Sequence, residues 1–103
     1  MFVRQFFAKT TTANAPRYYA FFRDTLAPQL KKISGHRGAL VLSNSGGDVV
    51  DITVLTFWDS SDAIQHFAGD TSNRSVVEPE ARAILSWFDE TVTQLTVEVD
   101  TRR

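Results

Sequence analysis

The stretch Val49-Val50-Asp51-Ile52-Thr53-Val54-Leu55-Thr56-Phe57-Trp58 decides the fold. Val50, Ile52, Val54, Thr56 and Trp58 alternate with Asp51, Thr53, Leu55 and Phe57, a period of two that belongs to a β-strand. Toward Trp58 both sets turn apolar, and a strand apolar on both faces has something packed on each side. Just before it, Ser45-Gly46-Gly47-Asp48 supplies the positive-φ residues of a hairpin turn, so Gly38-Ala39-Leu40-Val41-Leu42 reads as the partner strand.

Working outward, Phe2 to Ala8 is apolar apart from Arg4 and Gln5 and too short for a helix of ordinary length, so it is expected to be a strand. A turn-like run from Thr10 leads to Asn14, an expected N-cap, with Pro16 in the first turn. Tyr18, Phe22, Leu26, Leu30 and Ile33 then form a helical stripe that Tyr19 widens; Pro28 predicts a kink or break near Ala27, and Gly35 a left-handed end. Beyond Trp58, Asp59 or Ser60 caps a helix with Ala63, Ile64 and Phe67 inward and Gly69 at its close. Asp70 to Ser75 reads as a loop, Pro79 opens a third helix, and Thr91 to Val99 alternates as a final strand. The order strand, helix, strand, strand, helix, helix, strand predicts one α+β domain over residues 1–103. Its architecture is a ferredoxin-like split βαβ with a four-stranded antiparallel sheet. Helices cover one sheet face; the other is too apolar to stay wet, which points to a homodimer.

Composition narrows the function. The chain has 103 residues, no Cys, and eleven Lys and Arg against twelve Asp and Glu, a formal charge of −1. That balance excludes a generic basic nucleic-acid module. The missing thiols exclude disulfides, thiolate zinc sites, iron–sulfur clusters and cysteine nucleophiles. Two histidines do not make a catalytic metal site. No apolar run approaches a membrane span and no signal-peptide core opens the chain, so a soluble cytoplasmic domain is expected. The outlying figure is 12% aromatic residues.

Phe57-Trp58-Asp59-Ser60-Ser61-Asp62-Ala63-Ile64, followed by Phe67-Ala68-Gly69-Asp70, resembles a signature of antibiotic-biosynthesis-monooxygenase-like domains. Gly35-His36-Arg37-Gly38-Ala39 leading into Leu40-Val41-Leu42 resembles it too, as does the spacing of Pro79, Leu85, Phe88 and Val92. The resemblance covers nearly the whole chain. It implies a dimeric α+β barrel, two sheets back to back, with a pocket in each subunit between sheet and helices. It also separates this chain from particular activities. Haem-degrading relatives use an Asn, a Trp and a His, and Phe67 and Val77 stand where the Trp and His would be. Quinone-forming relatives surround the Trp with an Asn and a Tyr, where this chain has Val54 and Ile64 around Trp58; Gln94 replaces a His common in the last strand.

A handful of residues is left to carry chemistry. Trp58 is either an aromatic wall for a flat substrate or a core Trp with its indole N–H satisfied. His36, in a loop, and His66, at a helix border, are candidate bases or solvated surface histidines. Arg37 and Arg74 are candidate anchors for a phenolate or carboxylate, or surface ion-pair partners. Tyr18, Tyr19, Phe22, Phe67 and Gln94 are candidate substrate contacts, and Trp87 suits packing or a dimer contact. The expected activity is a cofactor-independent monooxygenase that oxidises an electron-rich aromatic, of hydroquinone or anthrone type, with molecular oxygen. The alternatives are a non-oxidative isomerase or cyclase on the same scaffold, and a ligand-binding dimer without turnover.

Overall fold

A computed structural model describes residues 1–69 and 73–102. Strand β1 (Phe2–Thr11) leads to α1 (Ala15–Phe21), a π-helical turn (Phe22–Leu26) and α2 (Ala27–Lys31). Then follow the hairpin β2 (His36–Gly46) and β3 (Val49–Trp58), helices α3 (Ser61–Ala68) and α4 (Pro79–Ile84), and the short strands β4 (Trp87–Phe88) and β5 (Thr93–Thr96). The sheet is antiparallel in the order β2-β3-β1-β4, with β5 also on β1. This is the expected ferredoxin-like α+β arrangement, with one difference. The fourth position is shared: β4 pairs with Ala8 and Lys9, and β5 with Phe2 to Gln5.

The expected strand from Thr91 to Val99 is therefore cut to Thr93–Thr96. Its alternation is real, but the chain leaves the sheet edge between β4 and β5 to bond elsewhere. The Ser75 amide donates to the Glu90 carbonyl at 2.9 Å and the Val92 amide to the Asn73 carbonyl at 2.8 Å. The expected loop lies partly outside the described residues, at Asp70 to Ser72.

The first helix does not break at Pro28. A spacing of four outruns the 3.6-residue α turn by about 0.4 residue per step, and the wider π turn takes up the slack. Tyr18, Phe22, Leu26 and Leu30 are all buried as a result. Asn14 stands at the N-cap position without a side-chain capping bond. Instead its Nδ2 donates to the Ile84 carbonyl at 3.5 Å. Ser60 does cap α3, its Oγ accepting from the Ala63 amide at 3.2 Å.

Cross-strand register sorts the faces, because directly opposed residues point the same way. Phe2, Arg4, Phe6, Ala8 and Thr10 oppose Trp58, Thr56, Val54, Ile52 and Val50 on the face beneath the helices. The other face carries Phe7, Leu40, Leu42, Trp87 and Leu95, all exposed, Trp87 by 48%. One end of that face is covered, with the Arg102 guanidinium 4.6 Å above the Phe57 ring. Among the described residues no helix is long and apolar enough to cross a membrane.

Candidate functional site

A narrow slot opens between the helix-facing side of β1 and β3 and the helices above. Its floor is Arg4, Phe6, Val54 and Thr56; its walls include Tyr18, Phe22, Leu26, Leu30 and Phe67; Val76, Val77, Glu78, Ala81, Leu85 and Val92 complete it. The part of it that a water molecule can enter is only about 40 Å³. The shape is a crevice with apolar sides, and among the described residues three titratable groups line it: Arg4, Tyr18 and Glu78.

Arg4 reaches this place because β1 alternates, and its even positions face the helices. The side chain is buried, and the residue is 4% exposed. Its Nη2 donates to the Arg74 carbonyl, and its guanidinium lies 5.7 Å from the Phe67 ring centroid. Burial pulls its pKa down to about 10, which leaves it a cation at neutral pH. Tyr18 lies on the inner stripe of α1, and its hydroxyl is held in the protonated form by burial and, second, by the nearby Glu78 carboxylate. Glu78 precedes Pro79 at the entrance of α4 and is half-buried; burial raises its carboxyl above the usual range, opposed by its own backbone amide.

Trp58 stands behind the slot. It is fully buried, and its Nε1–H donates to Thr56 Oγ1 at 2.8 Å. Its ring stacks on Phe67 at 5.6 Å and meets His36 edge-on at 4.8 Å. The indole thus backs Phe67, and Phe67 presents the aromatic face to the slot. The two readings of Trp58 resolve into a core residue with a satisfied N–H that supports a slot residue.

Three of the sequence candidates, Tyr18, Phe22 and Phe67, come together in the slot. The others lie elsewhere. His36 is not in a loop: it is the first residue of β2, opposite Trp58, and its Nδ1 is buried without a hydrogen-bond partner. Partial burial lowers its pKa. His66 is exposed on α3. Arg37 is exposed and forks onto Asp59, Nε to Oδ1 at 2.7 Å and Nη2 to Oδ2 at 2.5 Å. Arg74 contributes its carbonyl to Arg4, while its side chain borders a shallow surface cleft with Arg82 and Glu90. Tyr19 packs against the core outside the slot lining. Gln94 is exposed on β5, directly opposite Arg4.

Sequence reasoning missed Arg4, Thr56 and Glu78 as slot residues. For Arg4 a signal existed: it is the charged residue within the apolar run Phe2 to Ala8, in phase with Phe2 and Phe6. For Glu78 no pattern marks it apart from other residues at a helix entrance. Among the described residues no group of His, Asp and Glu could hold a metal ion.

No protein-family profile matches the chain, and no curated protein matches it by sequence. Solved structures do match. A Bacillus cereus protein provisionally assigned as an antibiotic biosynthesis monooxygenase superposes with a TM-score of 0.62 at 14% identity, covering 99% of this chain and 97% of that one. The haem degrader MhuD of Mycobacterium tuberculosis, with two haems bound in its active site, gives 0.63 at 20% identity over 96% and 98%. An arginine-to-serine mutant of MhuD, with two manganese protoporphyrins per active site, gives 0.61 at 19% identity over 96% and 97%. At these identities the likeness concerns architecture, and it runs the length of both partners. The fold of this chain is that of the antibiotic-biosynthesis-monooxygenase-like proteins.

Proposed function

We propose that the slot binds a flat, electron-rich aromatic of hydroquinone or anthrone type as its anion and delivers it to molecular oxygen without a bound cofactor. The observation that carries this reading is the buried Arg4 guanidinium on the floor of a crevice with mostly apolar walls. In low dielectric a fixed cation favours an enolate or phenolate far more than water does. An anion in a dry aromatic pocket is a competent one-electron reductant of oxygen. At an anthrone-type methylene, loss of a proton and electron transfer to oxygen give a radical pair whose C–O coupling forms a hydroperoxide. Loss of water then leaves a carbonyl, so methylene and oxygen become carbonyl and water. The aromatic and aliphatic walls, Phe6, Phe22, Phe67, Leu26 and Leu30, suit an apolar ring.

A haem does not suit the donor set. Among the described residues no histidine, cysteine or methionine lines the slot, Val77 being part of its wall, and burial keeps Tyr18 protonated. The neighbouring haem degrader therefore lends its scaffold to this reading and not its ligand.

The reading includes a homodimer through the open sheet face, supported by the exposed Phe7, Leu40, Leu42, Trp87 and Leu95. A second reading, a ligand-binding dimer without turnover, is favoured by the slot residue Val54, which stands where quinone-forming relatives carry a polar Asn. Oxygen consumption by the purified protein, with hydroquinones and anthrones and no added cofactor, separates the two. Uptake proportional to enzyme is expected, falling about 100-fold in Arg4→Met, the loss typical of one oxyanion-stabilising group. Circular dichroism checks that the variant folds. No uptake across the panel would overturn the oxygenase in favour of the binding dimer.

A further inference from the structure

We propose that Glu78 is the catalytic base of the slot, taking the proton whose loss creates the substrate anion; this rests on the function proposed above. The sequence points to histidines for that role, but neither His36 nor His66 lines the slot. Of the three titratable groups that do, Arg4 has no lone pair to offer, and Tyr18 is held in its protonated form. Glu78 alone can accept a proton near neutral pH.

Its surroundings fit the task. The residue lines the slot from the start of α4 and Arg4 lines it from β1, so cation and base share one crevice. Among the described residues Glu78 takes part in no ion pair. Among the described residues, the charged and titratable groups that share the slot lining with it are Tyr18 from α1 and Arg4 from β1, and Arg82 lies one turn along its own helix. Half-burial makes the carboxylate a stronger base than a solvated one, which brings its proton affinity closer to neutral pH. The Tyr18 hydroxyl, near enough to feel the Glu78 charge, remains a hydrogen-bond donor to the substrate oxygen.

The cycle balances. Glu78 removes one proton from the methylene, and Arg4 holds the resulting oxyanion. The anion gives one electron to oxygen, and the two radicals couple to form a C–O bond. The peroxide anion takes the proton back from Glu78. The regenerated carboxylate then removes the second methylene proton as the O–O bond breaks, and the departing hydroxide leaves with that proton as water. Carbon loses four electrons, and the two oxygen atoms end in the carbonyl and in water.

Proton removal is separable from oxidation by working without oxygen. Anthrone is mixed with the full-length protein in D2O under argon, and loss of its methylene signal is followed by proton NMR. Binding is followed in parallel by tryptophan quenching. The wild type is expected to accelerate exchange, and Glu78→Gln to lose at least ten-fold of that acceleration while still binding anthrone. The acid limb of the rate–pH profile should vanish with it. Glu78→Ala, tested with and without added formate, guards against a folding defect, because formate restores exchange only in an intact slot. Binding with undiminished exchange in Glu78→Gln overturns Glu78 as the base and leaves the proposed function standing. No binding of anthrone by the wild type overturns both.

Discussion

Gly35 is the position where one added methyl should do the most harm. Its φ is +90°, and a Cβ built there would lie 2.6 Å from the Ala63 Cβ on α3. Two costs add in Gly35→Ala. An L-residue held in a left-handed conformation costs about 1–2 kcal/mol. Relieving the overlap requires α3 to retreat from a packed core, an overpacking cost of about 1–3 kcal/mol. Together about 2–5 kcal/mol is lost, against a total of roughly 5–15 kcal/mol for a domain of this size. Gly47→Ala is the control: its φ is +68° and nothing lies within 4 Å of the added methyl, so only about 1–2 kcal/mol should go. Ala63→Gly placed on Gly35→Ala removes the opposing carbon and should recover the steric part, a favourable coupling of about 1–3 kcal/mol. Urea unfolding followed by tryptophan fluorescence measures all of these variants. Equal costs for Gly35→Ala and Gly47→Ala, or a coupling near zero, would refute the close approach of the β2 entrance to α3.

Three further outcomes are expected. Thr56→Val strands the buried Trp58 indole N–H and should cost about 1–3 kcal/mol in denaturant unfolding, whereas Thr56→Ser should cost much less. Light scattering of the wild type should give twice the 11.6 kDa chain mass, and Leu42→Lys combined with Trp87→Glu should give a monomer; a wild-type monomer at micromolar concentration would remove the dimer. The folded-state pKa of His36 lies below 6.5, so the unfolded chain binds more protons between the two values. Stability is then full above about pH 6.5 and falls with acidification until the folded pKa is passed. In His36→Phe that part of the slope should disappear in unfolding curves taken across pH 5–7.

What the sequence makes legible follows from where side chains are buried. The limits of β3 stand in its own alternation, because both its neighbours and the helices press on it. β2 runs to Gly46 although Ser43-Asn44-Ser45 carries no apolar period; its extent is imposed by pairing with β3, which no local pattern records. The final strand has the right period but little burial on either face, so its start is set by the hydrogen bonds of residues 90–92 to residues 73–75 and not by its own composition. The same logic divides the site. Tyr18, Phe22 and Phe67 belong to inward stripes and are found by periodicity. Arg4 is inward by phase, yet a charge reads as solvated, and register with Thr56 is needed to place it inside. His36, His66, Arg37 and Arg74 draw attention by chemistry alone, which says nothing about direction.

The π turn at Phe22–Leu26 amounts to one extra residue lodged in a helix. Deleting one residue there would change the stripe spacing from four, four and four to four, three and four, which a uniform α-helix keeps on one face. Leu26 and Leu30, both walls of the slot, would stay against the sheet. The crevice is tied to helix phase in the other sense: with every residue kept and the π turn relaxed to α geometry, everything beyond it would rotate by roughly 100°, carry both leucines off the sheet and erase the cleft while leaving both flanking helical segments intact.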